Sequence, residues 1–279
     1  MRPALALACV LPSIVAVGSS LAACSTLPED PPTPVTPDPL GTGQRIAQVQ
    51  DPSSQSYQQA LTSSKTTTNP GVNVDVSSVV VTWIDTFDET RDGKSKGTVY
   101  VQDVGSTAPY AGISVYQPNY VPAALRPLPG DVLDMKGPYQ ELAHIGSATF
   151  NAGNTLPQLA KPVGDFRYEF ETPPPAVVTL SDLDMANYAK GRQWEGMLVT
   201  VNDVTVGPGA VDTTGLRVTY LMGQGSAKIS NTACTISNEL YNLGKNDYPT
   251  GTHFTSVTGI VTWFYSYHLA PRTAADLVQ

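Results

Sequence analysis

The chain has 279 residues, of which 14% are charged, with 16 basic side chains against 24 acidic ones for a formal net charge of −8. That acidity argues against a general polyanion binder, because non-specific nucleic-acid affinity rests on neutralised phosphates, although it leaves room for a locally basic groove. Its 23 glycines and 24 prolines, with abundant Thr, Ser and Val, suit short strands joined by many turns.

The first element reads as a leader, residues 1–23. Arg2 supplies a positive start, and residues 5–17 form an apolar stretch too short to span a bilayer comfortably. Small residues then run straight into a cysteine, Leu21-Ala22-Ala23-Cys24. This resembles the lipobox of bacterial lipoproteins, which implies cleavage before Cys24 and a lipidated (palmitate-type) thiol; the plainer reading is a signal peptide with an incidental cysteine. Several acyl chains bury enough CH₂ groups to hold a soluble domain at a membrane. The expected location is therefore the cell envelope, at the outer membrane or cell surface, and Ser25 after the cysteine leans the same way. No transmembrane helix is expected in the mature chain.

Residues 24–43, "CSTLPEDPPTPVTPDPLGTG", cannot bury enough apolar surface to fold, and their prolines favour an extended tether. Cysteine arithmetic agrees: Cys9 leaves with the leader and Cys24 is lipidated, so only Cys234 remains. One cysteine makes neither an intrachain disulfide nor a thiolate metal site. In "AKISNTACTIS", without a basic neighbourhood, Cys234 reads as a buried small hydrophobe rather than a reactive thiol.

Beyond the tether about 235 residues remain, with 15 basic against 24 acidic residues in the whole mature chain. Residues 44–71 are polar, with a short helix or packed arm around 45–50 and a Ser/Thr loop after Leu61. Residues 72–164 carry strand signals: "VNVDVSSVVVTWID" becomes a continuous apolar run, and "GTVYVQD" and "AGISVYQ" alternate cleanly. A strand over 132–136 ends at a break at Gly137-Pro138, and "GSATFNAGNTLPQL" supplies two short pieces. Residues 165–194 read as a linker, broken by Pro173–Pro175 and followed by a helix that Ser181 caps and Lys190-Gly191 ends. Residues 195–279 repeat the strand pattern, with "GMLVTVNDVTVG", "GLRVTYLM", "SAKISNT" and two strands in "YPTGTHFTSVTGIVTWFYSYHLAPR".

The two passes align through their fourth strands, where Gly137 and Gly259 each permit a tight bend. On that register the shared Val-Thr-Trp of 81–83 and 261–263 is coincidence, lying in strand one of the first copy and after strand four of the second. The fold expected is all-β: two tandem OB-fold-like five-stranded Greek-key barrels, joined by a linker with one short helix.

"VVVTWID", "GTVYVQDVG", "YAGISVYQP" and "LPGDVLDMKGPYQEL", followed by "WEGMLVTVNDVTV" and "SVTGIV…LAPRTAADL", resemble tandem OB-like domains of secreted bacterial nucleases and cell-surface lipoproteins. The likeness covers roughly residues 74–279. It implies a binding or scaffold module whose chemistry lies in a separate catalytic domain, for which this chain leaves no length. The nuclease strings that accompany such modules are incomplete here: Gly164-Asp165-Phe166-Arg167 lacks the Asn and reads as loop, and Ser181-Asp182-Leu183 lacks the His and reads as a helix cap.

Candidate chemistry is sparse. His144, His253 and His268 have no metal-ligand partner at helical spacing, and no phosphate loop or nucleophile elbow occurs. Asp85, Asp88 and Asp92 share the expected loop between strands one and two; they are weak metal candidates, an ordinary hairpin turn being the plainer reading. OB-folds usually bind ligands on the outer face of strands two and three. In the first copy that face carries Tyr100, Gln102, Ser114 and Tyr116, which could stack on and bond a base or sugar; in the second, Arg217, Thr219, Lys228 and Ser230. The competing reading packs the two tyrosines under the tether, the helix or the other barrel. Trp83, Trp194 and Trp263 read as core or interdomain anchors.

The expected function is a non-catalytic, lipid-anchored binding or assembly module without cofactor, whose ligand is an envelope protein, a glycan or a single-stranded nucleic acid. The alternative is a metal-dependent hydrolase using the acidic loop.

Overall fold

The computed structural model describes residues 41–64, 68–91, 97–116, 127–143, 155–169, 171–226, 228–229 and 234–279. The leader, Cys24, most of the tether, Asp92, His144 and Ser230 lie outside the described residues.

Residues 72–168 build a closed five-stranded barrel from β1 (Val72–Ile84), β2 (Val99–Asp103), β3 (Gly112–Tyr116), β4 (Val132–Ala143) and β5 (Thr155–Ala160). The strands run β1-β2-β3-β5-β4, and β4 pairs back onto β1. Only the β3–β5 pairing is parallel. That order is the OB-fold's Greek key. β1 reaches both neighbours because it bends at a bulge between Val76 and Val79. Ser78 there takes a left-handed φ of 58°, and its N–H donates to the Asp134 carboxylate at 2.9 Å. Inward valines of β1, with Val99, Val101, Ile113, Leu133 and Leu159, form the core.

The second barrel repeats the topology with β8 (Leu198–Val211), β9 (Val218–Gln224), β10 (Thr235–Ser237), β11 (His253–Trp263) and β12 (Tyr267–Ala270). Here the order is β8-β9-β10-β12-β11, closed by β11 on β8, with β10–β12 parallel. Its core is larger, including Phe254, Trp263, Tyr267 and the buried Cys234 thiol, which burial pushes well above its usual pKa. Trp263 packs edge-on to Tyr267 with centroids 4.9 Å apart, a core role. The fourth strands of both barrels carry the aligned glycines. A Cβ on Gly137 would sit 2.8 Å from Pro162, and one on Gly259 would sit 2.6 Å from the Ala270 carbonyl oxygen.

Several local expectations are corrected. β4 continues through Gly137-Pro138 to Ala143 rather than breaking, because Gly137 and Pro138 pair with Val74 and Asn73 of β1. Val261–Trp263 belongs to β11 itself, not to the chain after it, so the Val-Thr-Trp match joins unlike strands. The segment read as linker contains two strands. β6 (Val163–Tyr168), which includes Gly164-Asp165-Phe166-Arg167, adds to β4, and β7 (Ala176–Val178) adds to β8. β6 hides from a periodicity reading because it is an edge strand, with Val163 to Phe166 exposed regardless of face.

The expected helix from Ser181 is instead a chain of short 3₁₀ turns ending in α3 (Tyr188–Gly191). Asp182 bonds the Thr179 N–H, Asp184 the Ala186 N–H and Asn187 the Lys190 N–H, so each small polar side chain restarts the turn. The third strand of the second barrel is Thr235–Ser237, not Ser226–Thr232, since the parallel pairing to β12 engages Thr235 and Ile236. In the polar arm, α1 (Ile46–Gln50) is joined by α2 (Gln55–Ser64), which extends past Leu61; both pack on the first barrel through Ile46, Val49 and Ala60. Residues 38–279 form one compact unit containing both barrels.

Candidate functional site: the seam between the barrels

The outer face of β2 and β3, which carries the ligand candidates Tyr100, Gln102, Ser114 and Tyr116, meets the second barrel, the packing that the competing reading gives Tyr100. Tyr100 and Trp83 pack against Leu198, Leu240, Ile260 and Ala270, a small apolar cluster shared by the barrels. Gln102 is fully buried. Its side-chain oxygen accepts from the Leu198 N–H at 3.1 Å, and its amide donates to the carbonyls of Ser106 and Pro174. Ser114 donates its hydroxyl to the Pro157 carbonyl at 3.0 Å, and Tyr116 remains 48% exposed. The four side chains therefore do not form one open platform: two lie in the seam and Tyr116 lies outside it.

Near the linker the seam is tight. A Cβ on Gly112 would fall 2.6 Å from Met197, and one on Gly196, which has φ +76°, would fall 2.8 Å from Ile113. Tyr110 donates its N–H to the Gln193 carbonyl at 2.7 Å. Beside this contact Arg192, 1% exposed, inserts against β4 and β5 of the first barrel. Its guanidinium pairs with the fully buried Glu141 and donates to Tyr139 Oη at 3.1 Å, while Tyr139 and Thr155 also bond Glu141. The Tyr57 and Tyr110 rings lie 4.8 and 5.5 Å from the same group. Burial opposes the arginine's charge, but Glu141 outweighs it and holds the pKa above its ordinary value. One buried cation meets one buried anion.

The acidic loop after β1 meets the second barrel at another part of the seam. Asp85 and Glu89 are 6% and 5% exposed. They lie within electrostatic reach of Glu239, which follows β10, and of the Tyr100 phenol. Glu239 accepts from the Thr262 hydroxyl and pairs with His268 Nδ1. Arg217 pairs with Glu89 at 3.3 Å while its guanidinium stacks 3.6 Å from the Phe264 centroid. Burial, then the Glu89 charge, pushes the Asp85 pKa up from 3.8 to about 8. Burial likewise raises Glu89 from 4.5 to about 7, against the pull of Arg217. Glu239 moves the other way: burial opposes its charge, but His268 and Thr262 prevail and lower it. Burial and the surrounding carboxylates carry Tyr100 well above the usual phenol value.

The outer face of the second barrel contributes here too. Thr235 stands opposite His268 in the parallel pairing and Ser237 follows on the same face; both are buried, and neither hydroxyl has a partner among the described residues. Glu89 Oε2 is also buried without one. Thr235 and Ser237 thus take the third-strand places expected for Lys228 and Ser230, and Lys228 is exposed outside the strands. Of the acidic candidates, Asp85 is buried in the seam and Asp88 contributes its charge there. Among the described residues no group of three His, Cys, Asp or Glu side chains is arranged to hold a metal ion.

Sequence reasoning missed Glu89, Glu239 and His268 as one assembly. Glu239 and His268 are separated by 29 residues, so no spacing signal joins them. The third histidine, His253, makes an exposed pair with Asp203 at 2.8 Å. A groove of about 580 Å³ along α2, lined by Gln55, Gln58, Gln59 and Thr62, is a lesser candidate: Gln58 and Thr62 already bond nearby carbonyls. Comparison of the chain with protein-family models, curated proteins and solved structures gave no match.

Proposed function

We propose that the chain is a lipid-anchored envelope protein, held by Cys24 and its proline-rich tether at the outer membrane or cell surface, whose two barrels act together as one non-catalytic binding or assembly module. The observation that carries the second part is the seam. Gln102 and Tyr100 tie the first barrel's outer face to the second barrel, so the two present a single fixed surface. On that surface Tyr116 keeps the aromatic character suited to stacking on a sugar ring, a base or an apolar protein side chain. The leader and lipobox carry the first part.

Two experiments test the reading separately. Radiolabelled palmitate should enter the wild type and not Cys24→Ala, which should leave the membrane fraction; label retained in the variant removes the anchor. The soluble part, residues after Gly43, should retain a partner from envelope or culture-supernatant extracts. Tyr116→Ala should weaken that capture several-fold without changing the melting temperature. Equal capture by both proteins would exclude Tyr116 from the binding surface.

A further inference from the structure

We infer that the acidic part of the seam is a proton-operated latch, which holds the barrels closed while Asp85 and Glu89 carry protons and loosens when they ionise, with the linker part of the seam holding throughout. The inference concerns how the two barrels are held and does not depend on what the module binds.

Three features of the geometry carry it. First, the charges are unbalanced. Among the described residues, the groups that act on one another across the seam are Asp85, Asp88 and Glu89 from the loop after β1, Tyr100 from β2, Arg217 before β9, Glu239 after β10 and His268 from β12. Cys234, buried ahead of β10, feels Glu239 as well. Leaving Asp88 aside, three carboxyls, Asp85, Glu89 and Glu239, face one guanidinium and one imidazole among the described residues. Arg272, near Trp83, is bonded to Asp276 at 2.9 Å and is already committed. Second, Asp85 and Glu89 are buried, and like charges withdrawn from water repel strongly. Third, the buried hydroxyls of Thr235 and Ser237 and Glu89 Oε2 have no partners among the described residues. The linker part also holds unpartnered buried atoms, Arg192 Nη1 and Trp194 Nε1, but its charge is matched, Arg192 to Glu141, and backbone packs directly on backbone.

The sign follows from linkage. Asp85 and Glu89 bind protons more tightly in the closed protein than in an open one, with values of about 8 and about 7 against 3.8 and 4.5. Their contribution is complete below the lower pair of values and disappears as pH rises through the upper pair. Glu239 is lowered, so its contribution is present above 4.5 and is lost in stronger acid. The latch is firmest in mildly acidic solution and slackens toward mild alkalinity.

Hydrogen–deuterium exchange of the purified mature chain, corrected for intrinsic rates and measured at about pH 5.5 and about pH 8.5, tests this. Residues 97–101 and 235–240 should lose protection by about tenfold or more at the higher pH, while 110–113 and 196–197 keep theirs. The double variant Asp85→Asn/Glu89→Gln should hold its protection at both pH values. Wild-type protection that ignores pH, or that falls equally at both parts of the seam, overturns the latch. Glu89→Gln alone, which preserves shape, should shrink the pH response by a measurable fraction; an unchanged response would also overturn it.

Discussion

The seam contains two buried ionic clusters that look alike in composition and differ in balance. Around Arg192 one positive group meets the Glu141 carboxylate, with Tyr139, Thr155 and two aromatic rings around them, although Arg192 Nη1 is buried without a hydrogen-bond partner among the described residues. Around Glu239 the carboxyls outnumber the cations among the described residues, and two of them have pKa values moved toward neutrality. Burial imposes a desolvation cost in both places. A matched partner lets the Arg192 cluster stay charged, whereas the Glu239 cluster lowers its cost by keeping protons. The first is therefore a static clamp, and the second depends on solution conditions.

The comparison breaks most severely at the clamp. Arg192→Met should strand the Glu141 carboxylate and destabilise the protein by about 3–5 kcal/mol, read as a lower urea midpoint. Adding Glu141→Leu should recover most of that loss, since an apolar pair of similar volume replaces a balanced ion pair at little cost. If the double exchange is no better than the single one, the clamp's hydrogen-bond shell matters more than its charges.

The acidic cluster should be next. Stability of the wild type should fall by on the order of 2 kcal/mol between about pH 5 and pH 8, the direction set by raised carboxyl pKa values. Asp85→Asn should flatten most of that slope in a series of urea titrations. A slope of opposite sign would mean that the carboxylates are ionised in the closed protein. Gln102→Ala sharpens the contrast, because it touches the seam without touching either charge cluster. It should cost about 1–2 kcal/mol by stranding the Leu198 N–H, with no change in pH dependence. His253→Ala, which removes an exposed pair, should stay within about 0.5 kcal/mol of the wild type in the same titrations.

Much of the architecture was legible because barrel strands announce themselves by alternation. Val99, Val101, Ile113 and Val115 face the core at period two, and Tyr100, Ser114 and Tyr116 point the other way, as their spacing required. β6 was invisible for the converse reason: an exposed edge strand has no buried face to impose a pattern. The broken helix at 180–191 was misread because Asp182, Asp184 and Asn187 suit a helix by composition yet capture backbone N–H groups one turn at a time. The short third strand of the second barrel escaped because its pairing partner, β12, lies some thirty residues away.

The candidate face was legible as a face, but its fate was not. Periodicity put Tyr100 and Gln102 on the outside of the first barrel and left a ligand and the other barrel both open as what covers that face; barrel packing decided for the other barrel. The same limit hid the acidic cluster, whose members come from the loop after β1, the ends of β9 and β10, and β12.

The sequence by itself determined two closed barrels of one topology, because strand period and turn residues act over a few neighbours. Only the tertiary structure decided which outer face is buried, which charges are matched and which carboxyls keep protons. Those properties depend on desolvation and on distances between groups far apart along the chain, and such distances are set when the barrels pack.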